Sequence, residues 1–120
     1  MGNAVVHFEI HGHSAEVLHP FYMKVFGWSI DTNNPMNYGV VDTGAGHGIQ
    51  GGIATGHGER GVMVYIECDD VKATVDRAIA AGAELVMEPN VIPGVVELAT
   101  FRDPEGNYLG LTKDLGGQPR

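Results

Sequence analysis

The stretch Val5-Val6-His7-Phe8-Glu9-Ile10 decides the fold, because a similar stretch, Val62-Met63-Val64-Tyr65-Ile66-Glu67-Cys68, follows about 57 residues later. Both are rich in β-branched and aromatic residues and alternate in character, as strands with one buried face do. Each is followed by an amphipathic stretch with helical spacing that ends at a glycine, and then by shorter strand-like segments. A repeat of this length, with a strand and a helix in each copy, predicts two βαβββ modules.

Length and charge narrow the class of protein. A chain of 120 residues with 43% hydrophobic residues has the size and composition of one globular domain. We therefore expect a single domain over residues 1–120, with module 1 at about 4–56, module 2 at about 61–113 and a tail at 114–120. A net charge of −8 without a lysine or arginine cluster argues against nucleic acid as a partner.

The remaining composition points to the cytoplasm. No apolar run approaches the roughly 18 residues that a membrane span needs, and the N-terminus lacks a signal-peptide pattern, so we expect no membrane partner. Cys68 is the only cysteine, which suits a reducing compartment and a packing role.

Turn and capping signals predict the order of elements. In module 1, Ser14 is the expected N-cap of a helix to about Phe26, kinked or restarted at Pro20 and ended by Gly27. Its expected apolar side consists of Val17, Leu18, Phe21, Val25 and Phe26. Strands are expected at 28–31, 38–42 and 49–54. In module 2, a helix begins after Asp69 or Asp70 and is followed by strands at 84–87, 95–102 and 107–112, the last two joined by a turn at 103–106.

With this repeat established, the chain resembles the vicinal oxygen chelate superfamily of glyoxalase I, extradiol dioxygenases, fosfomycin-resistance enzymes and bleomycin-resistance proteins. The residues that carry the resemblance are His7-Phe8-Glu9-Ile10, Phe21-Tyr22 leading to Val25-Phe26-Gly27-Trp28, Tyr65-Ile66-Glu67 before Asp69-Asp70-Val71, and Phe101-Arg102-Asp103-Pro104-Glu105-Gly106-Asn107. The resemblance is closest to small single-domain glyoxalase-like members. It implies an α+β fold in which two βαβββ modules form a curved mixed sheet with helices on the outside, and a homodimer.

The resemblance also implies positions for a divalent metal, with one ligand from the first and one from the last strand of each module. These positions fall on His7, Met63, Gly110, and either Gln50 or Gly52. If a metal is bound, His7 is the one firm ligand, because methionine is a poor ligand for hard ions and glycine has no side chain. We therefore expect no cofactor, although a divalent metal in a shifted geometry stays possible.

Strand alternation predicts which residues face the concave trough of the sheet. If His7 faces the trough, then Glu9, Tyr65 and Glu67 do too, because residues two apart on a strand share a face. The predicted ligand-binding residues are His7, Gln50, Tyr65 and Tyr108. Glu9 and Glu67 are the candidate catalytic carboxylates, and a structural histidine at position 7 is the alternative.

Other polar residues give weaker signals. His11, His13 and His19 lie near the start of the first helix, where capping and exposure account for them. His47 and His57 lie in glycine-rich loops that could fold over the trough. Glu97 faces either the trough or a dimer contact, and the alternation does not decide between them.

Two functions stay open, and whether the protein is an enzyme is undecided between them. The first is a glyoxalase- or bleomycin-resistance-like protein that binds a small molecule in the trough without a complete family metal site. The second is a divalent-metal-dependent lyase, isomerase or dioxygenase that uses His7 and the trough carboxylates. A third function, a module that binds a partner protein, is supported only by the versatility of the fold.

Overall fold

The elements of the chain follow the order βαβββ twice, in a computed structural model that describes residues 2–56 and 60–116. The first series is β1 Val5–Gly12, α1 Ala15–Phe26, β2 Ser29–Asp31, β3 Gly39–Asp42 and β4 Gln50–Thr55. The second is β5 Gly61–Glu67, α2 Val71–Ala80, β6 Glu84–Ile92, β7 Val96–Arg102 and β8 Tyr108–Asp114. The predicted α+β class and the two βαβββ modules are confirmed.

Backbone contacts divide the chain into two compact units. The first unit is His7–Met63, and the second unit combines the residues up to Val6 with those from Val64 onward. The N-terminal residues join the second unit through hydrogen bonds. The backbone N–H of Glu67 donates to the carbonyl of Ala4 at 2.9 Å, and Asn3 Nδ2 donates to the carbonyl of Glu67 at 2.9 Å.

In the first unit the strands are ordered β2-β3-β4-β1. β1 and β4 are parallel, with His7 opposite Gln50, and β3 is antiparallel to both of its neighbours. The core consists of Ile10, Val41 and Ile53. The partly buried residues packed against this core are Phe8, Leu18, Tyr22, Trp28 and Ile30. The helix-facing side of β1 is therefore the side of Phe8 and Ile10, as alternation predicted.

In the second unit the strands are ordered β5-β8-β7-β6, with Tyr65 of β5 opposite Gly110 of β8 in a parallel pair. The core consists of Cys68, Val71, Val75, Ala99 and Leu111, with Ile66, Leu85 and Phe101 packed against it. Cys68 is buried there, which confirms its packing role. The apolar side of β5 and β8 again meets the helix, and the tyrosine-bearing side lies opposite.

Helix α2 begins at a side-chain cap. Asp70 has an extended backbone, and its Oδ1 accepts a hydrogen bond from the N–H of Ala73 at 3.0 Å. This bond satisfies one of the donors that a helix leaves unpaired in its first turn. Of the two aspartates that the sequence offered, Asp70 is therefore the cap.

Helix α1 differs from the prediction in three ways. Ser14 occupies the N-cap position, but its side chain makes no capping hydrogen bond. The helix is continuous from Ala15 to Phe26 with Pro20 inside it, so it does not restart there. Gly27 ends it in the left-handed conformation, with φ of 70°, as expected.

The expected apolar side of α1 is the third difference. The helix has no buried residue, and Val17, Phe21, Val25 and Phe26 are all more than half exposed. The side that packs on the core carries Leu18 and Tyr22, four residues apart. Leu18 approaches β1 so closely that a Cβ on Gly12 would lie 2.5 Å from its Cδ1. The absence of a side chain at Gly12 thus leaves room on β1 for Leu18.

None of the helices in the described part of the chain has the length and apolar character to cross a bilayer.

Candidate functional site

The polar side of β1 carries a hydrogen-bonded network of four side chains in the first unit. His7 Nε2 lies 3.0 Å from the Tyr38 hydroxyl, which donates to Glu9 Oε2 at 2.7 Å. His11 Nε2 lies 2.7 Å from Glu9 Oε1. The side chains of Glu9 and His11 are only 13% and 12% exposed. A carboxylate with so little access to water therefore has a neighbouring group on each of its oxygens.

The network has a defined direction when Glu9 is ionised. A carboxylate only accepts hydrogen bonds, so the hydroxyl proton of Tyr38 points to Glu9. The Tyr38 oxygen then accepts from His7 Nε2–H, and His11 Nε2–H donates to the other carboxylate oxygen. Charge-assisted bonds of this kind are stronger than neutral ones. With the Glu9 carboxylate as the acceptor, both histidines therefore carry a proton on Nε2.

Tyr38 reaches the network because the residue of β4 that its hydroxyl approaches is Gly52, which has no side chain. A Cβ on Gly52 would overlap the hydroxyl of Tyr38, so any larger residue would exclude the ring. Asn34 fixes the backbone at the same point. Its Oδ1 accepts from the Tyr38 N–H at 2.9 Å, and its Nδ2 donates to the Tyr38 carbonyl at 2.7 Å. The two hydrogen bonds from Asn34 thus fix the Tyr38 backbone, and the absence of a side chain at Gly52 leaves room for the Tyr38 ring.

Gln50 lies opposite His7 in the strand register, but its side chain is engaged in the β3–β4 connection. Its Nε2 donates to Asp42 Oδ1 at 2.7 Å, and its Oε1 accepts from the Thr43 N–H at 2.8 Å. Both functional atoms of the amide thus have partners within the connection. Gln50 stabilises this loop, and its contact with a ligand stays a prediction.

The second unit carries its own polar set on the matching side of β5 and β8. The Tyr65 ring lies over Gly110, where a Cβ would overlap its Cδ1 and Cε1. Tyr108 donates from its hydroxyl to Thr100 Oγ1 at 3.1 Å, and Arg102 Cζ lies 5.2 Å from the centre of the Tyr108 ring. Arginine over an aromatic face is a cation–π contact. Glu67 is exposed at the end of β5.

The side chains present do not fit the metal site that the resemblance implies. Met63 is buried and offers only a thioether, and Gly110 is covered by Tyr65. On β4, the position of Gly52 is filled by the Tyr38 hydroxyl, and Gln50 is committed elsewhere. In residues 2–56 and 60–116 no group of three or more His, Cys, Asp or Glu side chains could hold a metal ion.

Two members of the network were not predicted from the sequence. His11 shares the side of His7 and Glu9 by strand alternation, and β1 extends to Gly12, so this signal was present. The expectation that exposure explains His11 is wrong, because its side chain is 12% exposed and bonded to Glu9. Tyr38 precedes β3 and gives no periodic signal. Only the glycine at position 52 hints at a large neighbour.

The other singled-out residues lie apart from this network. His13 and His47 are exposed, and His57 lies outside the described residues. Glu97 on β7 lies opposite Lys113 on β8 in the strand register. None of these residues joins the described polar network.

His19 is not explained by exposure either. Its Nε2 is buried with no hydrogen-bond partner in the described part of the chain, and it would lie 2.8 Å from a Cβ on Gly39. Burial lowers the pKa of His19 from its ordinary value of 6.5. The ring also borders an open surface groove of about 410 Å³, lined by Ala15, Glu16, His19, Pro20, Thr32 and Asn37.

Two βαβββ modules, each with a helix on the apolar side of its strands and tyrosines on the other, define a vicinal oxygen chelate protein. The family model described as the glyoxalase-like domain matches residues 7–112, and the chain belongs to this family.

Solved structures share the fold at low sequence identity. A glyoxalase/bleomycin resistance protein/dioxygenase superfamily member from Vibrio splendidus 12B01 has a TM-score of 0.65 and 16% identity, covering 94% of this chain and all of that one. Methylmalonyl-CoA epimerase in complex with methylmalonyl-CoA and NH4+ has a TM-score of 0.66 and 15% identity, covering 98% of this chain and 99% of that one. The methylmalonyl-CoA epimerase from Mycobacterium tuberculosis has a TM-score of 0.65 and 16% identity, covering 92% of this chain and 87% of that one. At these identities the likeness shows the fold alone.

A curated relative matches part of the chain. The protein of Mycobacterium tuberculosis (strain CDC 1551 / Oshkosh) provisionally named glyoxylase CFP32 is 40% identical over 50 residues, which are 42% of this chain. The match spans only 19% of that relative's own length. The relative therefore supports the family, and its activity is not carried over.

Proposed function

We propose that this protein binds a small organic molecule on the polar side of the first unit, at the His7–Tyr38–Glu9–His11 network. The observation that carries the proposal is the Glu9 carboxylate, 13% exposed and bonded at both oxygens by groups from two different segments. A carboxyl group is costly to bury unless its oxygens are hydrogen-bonded, and a few convergent polar groups of this kind are typical of small-molecule sites. The network offers both donors and acceptors to a ligand.

We propose further that binding does not need the metal ion of the superfamily's enzymes. The tyrosines over Gly52 and Gly110 support this, because each fills a place where the family pattern puts a ligand side chain. Tyr65, Tyr108 and Glu67 are proposed as ligand contacts of the second unit, on its own polar side. A cytoplasmic location and a homodimer remain part of the proposal.

Charge favours a neutral or cationic ligand. The chain carries a net charge of −8, and the network is built around a carboxylate. A ligand with several phosphates would approach against this charge, whereas a cationic ligand would be attracted. Two probes of opposite charge therefore separate the alternatives. Bleomycin is the compound after which one structural neighbour's superfamily is named, and methylmalonyl-CoA is bound in another neighbour.

The test is calorimetric titration of the purified protein with each probe in metal-free buffer. We expect bleomycin to bind the wild type, and Glu9→Gln and Tyr38→Phe each to weaken binding by about tenfold or more, since each removes a charge-assisted hydrogen bond. Glu105→Gln, in the exposed β7–β8 turn, is the matched control and should bind like the wild type. Binding that is unchanged in Glu9→Gln and Tyr38→Phe would contradict the proposed site.

A second candidate function is an isomerase or lyase of the family, either metal-free or dependent on a divalent metal, with Glu9 as the proton-transfer group. The Glu9–His11 pair favours it, because a histidine at 2.7 Å from a carboxylate can share the proton that catalysis moves. The test is incorporation of solvent deuterium into methylmalonyl-CoA, with and without added Co²⁺ or Ni²⁺. Exchange that disappears in Glu9→Gln would support this function over simple binding, and its absence in all conditions would reject it for this substrate.

A further inference from the structure

His19 of helix α1 packs against the first residue of β3, on the side of the strand that faces the helix. A Cβ built on Gly39 would lie 2.8 Å from His19 Nε2 and 3.2 Å from its Cε1. The imidazole ring therefore occupies the space that a side chain at position 39 would need. Ile30 of β2 lies at the same point, with its Cγ2 3.0 Å from that Cβ.

Tyr38 is the residue immediately before Gly39, and its side chain lies on the opposite side of the strand. Successive residues of an extended backbone point to opposite faces, and the Tyr38 hydroxyl meets His7 and Glu9 on the polar side. Gly39 is buried and pairs with β4. A displacement of the backbone at Gly39 is thus passed to Tyr38 through one peptide bond. The end of β3 connects His19 to the network.

The His19 ring is suited to this place only while it is uncharged. Its Nε2 is buried and has no hydrogen-bond partner among the described residues. A neutral imidazole can keep Nε2 as an acceptor without a proton, whereas a protonated ring carries an N–H on both nitrogens. A cationic N–H that is buried without an acceptor costs far more than a buried neutral nitrogen. Burial accordingly lowers the pKa of His19.

The groove beside the ring offers a protonated His19 a second position. Glu16 lines this groove together with His19. It lies three residues earlier on the same helix, and residues three apart on a helix are neighbours. The other residues that these contacts place around the ring carry no charge: Ile30, Thr32, Asn37 and Gly39. An imidazolium in the groove therefore has water and a carboxylate beside it, and it has neither against β3.

We propose that His19 is a pH-sensitive positioning residue for Tyr38. The neutral ring, packed against Gly39, holds the start of β3 in the position from which Tyr38 reaches the network. Protonation moves the ring into the groove toward Glu16, so the backbone at Gly39 loses its contact and Tyr38 leaves the network. The consequence for binding rests on the proposed function, but the coupling between His19 and Tyr38 is measurable without a ligand.

Nuclear magnetic resonance of the ligand-free protein tests the coupling. Tyrosine labelled with ¹³C at the carbon that bears the hydroxyl reports on each phenol, and Tyr38→Phe identifies the Tyr38 signal. The His19 ring signal, assigned through the backbone, is followed in the same titration from about pH 7.5 to about pH 5. We expect it to titrate with a midpoint below 6.5, and the Tyr38 signal to show a step at the same midpoint. Three titratable groups of the network also lie near Tyr38, so the step is taken as the difference between the wild type and His19→Leu: His7, Glu9 and His11.

Two variants separate His19 from other groups. His19→Leu should lack the step in the Tyr38 signal, and His13→Leu should keep it, because His13 is exposed. A Tyr38 signal that does not change at the midpoint of His19 would show that Asn34 alone fixes Tyr38, and would overturn the inference. A step of full size in His19→Leu would overturn it too. If His19→Leu does not fold, the agreement or disagreement of the two wild-type midpoints decides.

Bleomycin titrations across the same pH range test the consequence for binding. If the ligand needs the neutral ring against Gly39, its affinity for the wild type should fall about tenfold for each pH unit below the midpoint of His19, beyond any loss in His19→Leu. Equal pH dependence in the two proteins would overturn the role of His19 in the site. Coincident midpoints of His19 and Tyr38 without bleomycin binding at any pH would support the positioning role and count against the proposed function.

Discussion

The hydroxyl of Tyr38 occupies the space that a Cβ on Gly52 would fill. The same relationship recurs in the second unit, where the Tyr65 ring covers Gly110. The two tyrosines come from different places in their modules, one before β3 and the other within the first strand. In both units, therefore, a glycine on the last strand leaves room for a tyrosine ring. The ring fills the space that a side chain at the glycine position would need.

Gly52→Ala should destabilise the protein by about 2–4 kcal/mol, because the added methyl group displaces Tyr38 and breaks its bonds to His7 and Glu9. Urea denaturation measures the effect. Gly2→Ala is the control, since a Cβ there has no neighbour within 4 Å, and should be neutral. In a Tyr38→Ala background the cost of Gly52→Ala should fall below about 1 kcal/mol, because the obstructing ring is gone. An equal cost in both backgrounds would contradict this account.

Asp70→Ala should lower the free energy of unfolding by about 1 kcal/mol, the usual effect of removing an N-cap. The reason is the hydrogen bond from the Ala73 N–H to Asp70 Oδ1, which alanine cannot make. Asp69→Ala is the matched control one residue earlier, and it should change stability by less than about 0.5 kcal/mol. Thermal unfolding followed by circular dichroism distinguishes the two variants. Equal losses would show that charge near the helix start matters more than the cap.

Stability should fall as the pH drops below 6.5, in part because of His19. Burial lowers the pKa of His19 in the folded state, so the unfolded chain takes up a proton at higher pH than the folded chain does. His19 therefore opposes folding increasingly from its unfolded value of 6.5 down to its lower folded value, and has no such effect above that range. Denaturation curves at about pH 7.5 and about pH 5 should show this loss.

Substitution isolates the share of His19 in that pH dependence. His19→Leu places an apolar side chain of similar size next to Gly39 and removes the titrating group. The free energy of unfolding of this variant should therefore fall less than that of the wild type over the same pH range. His13→Leu is the control, because His13 is exposed and should leave the loss unchanged. A His19→Leu protein with the full pH dependence would assign the effect to other groups.

Local signals were enough to predict most of the fold. The alternation in β1 and β5, the left-handed Gly27 and the Asp70 cap each depend on a few neighbouring residues, and the structure has all of them. The side of α1 that meets the sheet was not predictable in this way. Apolar residues lie all around that helix, and the choice of Leu18 depends on Gly12, which lies outside the helix and is close to it in space.

The candidate site was predictable only where it follows strand alternation. His7 and Glu9 share a side of β1, and His11 continues the same series, so one rule covers all three. Tyr38 enters from a connection whose path is set by Asn34, and no periodicity describes that path. The hydrogen bond from Gln50 to Asp42 likewise depends on the shape of a loop. The positions of side chains that come from connections can be found only from the tertiary structure.

The purified protein should carry less than a stoichiometric amount of transition metal, and a chelator should not change its melting temperature. His7 Nε2 already faces the Tyr38 hydroxyl, Met63 offers a thioether, and the tyrosine rings fill the glycine positions on β4 and β8. A thioether and a phenol are poor ligands for a divalent ion that prefers carboxylate or imidazole ligands. Elemental analysis by mass spectrometry, followed by titration with Ni²⁺, Mn²⁺, Fe²⁺ and Zn²⁺, measures this. Nearly one equivalent of metal per chain, lost in His7→Ala but kept in His13→Ala, would contradict the prediction and favour the metal-dependent enzyme.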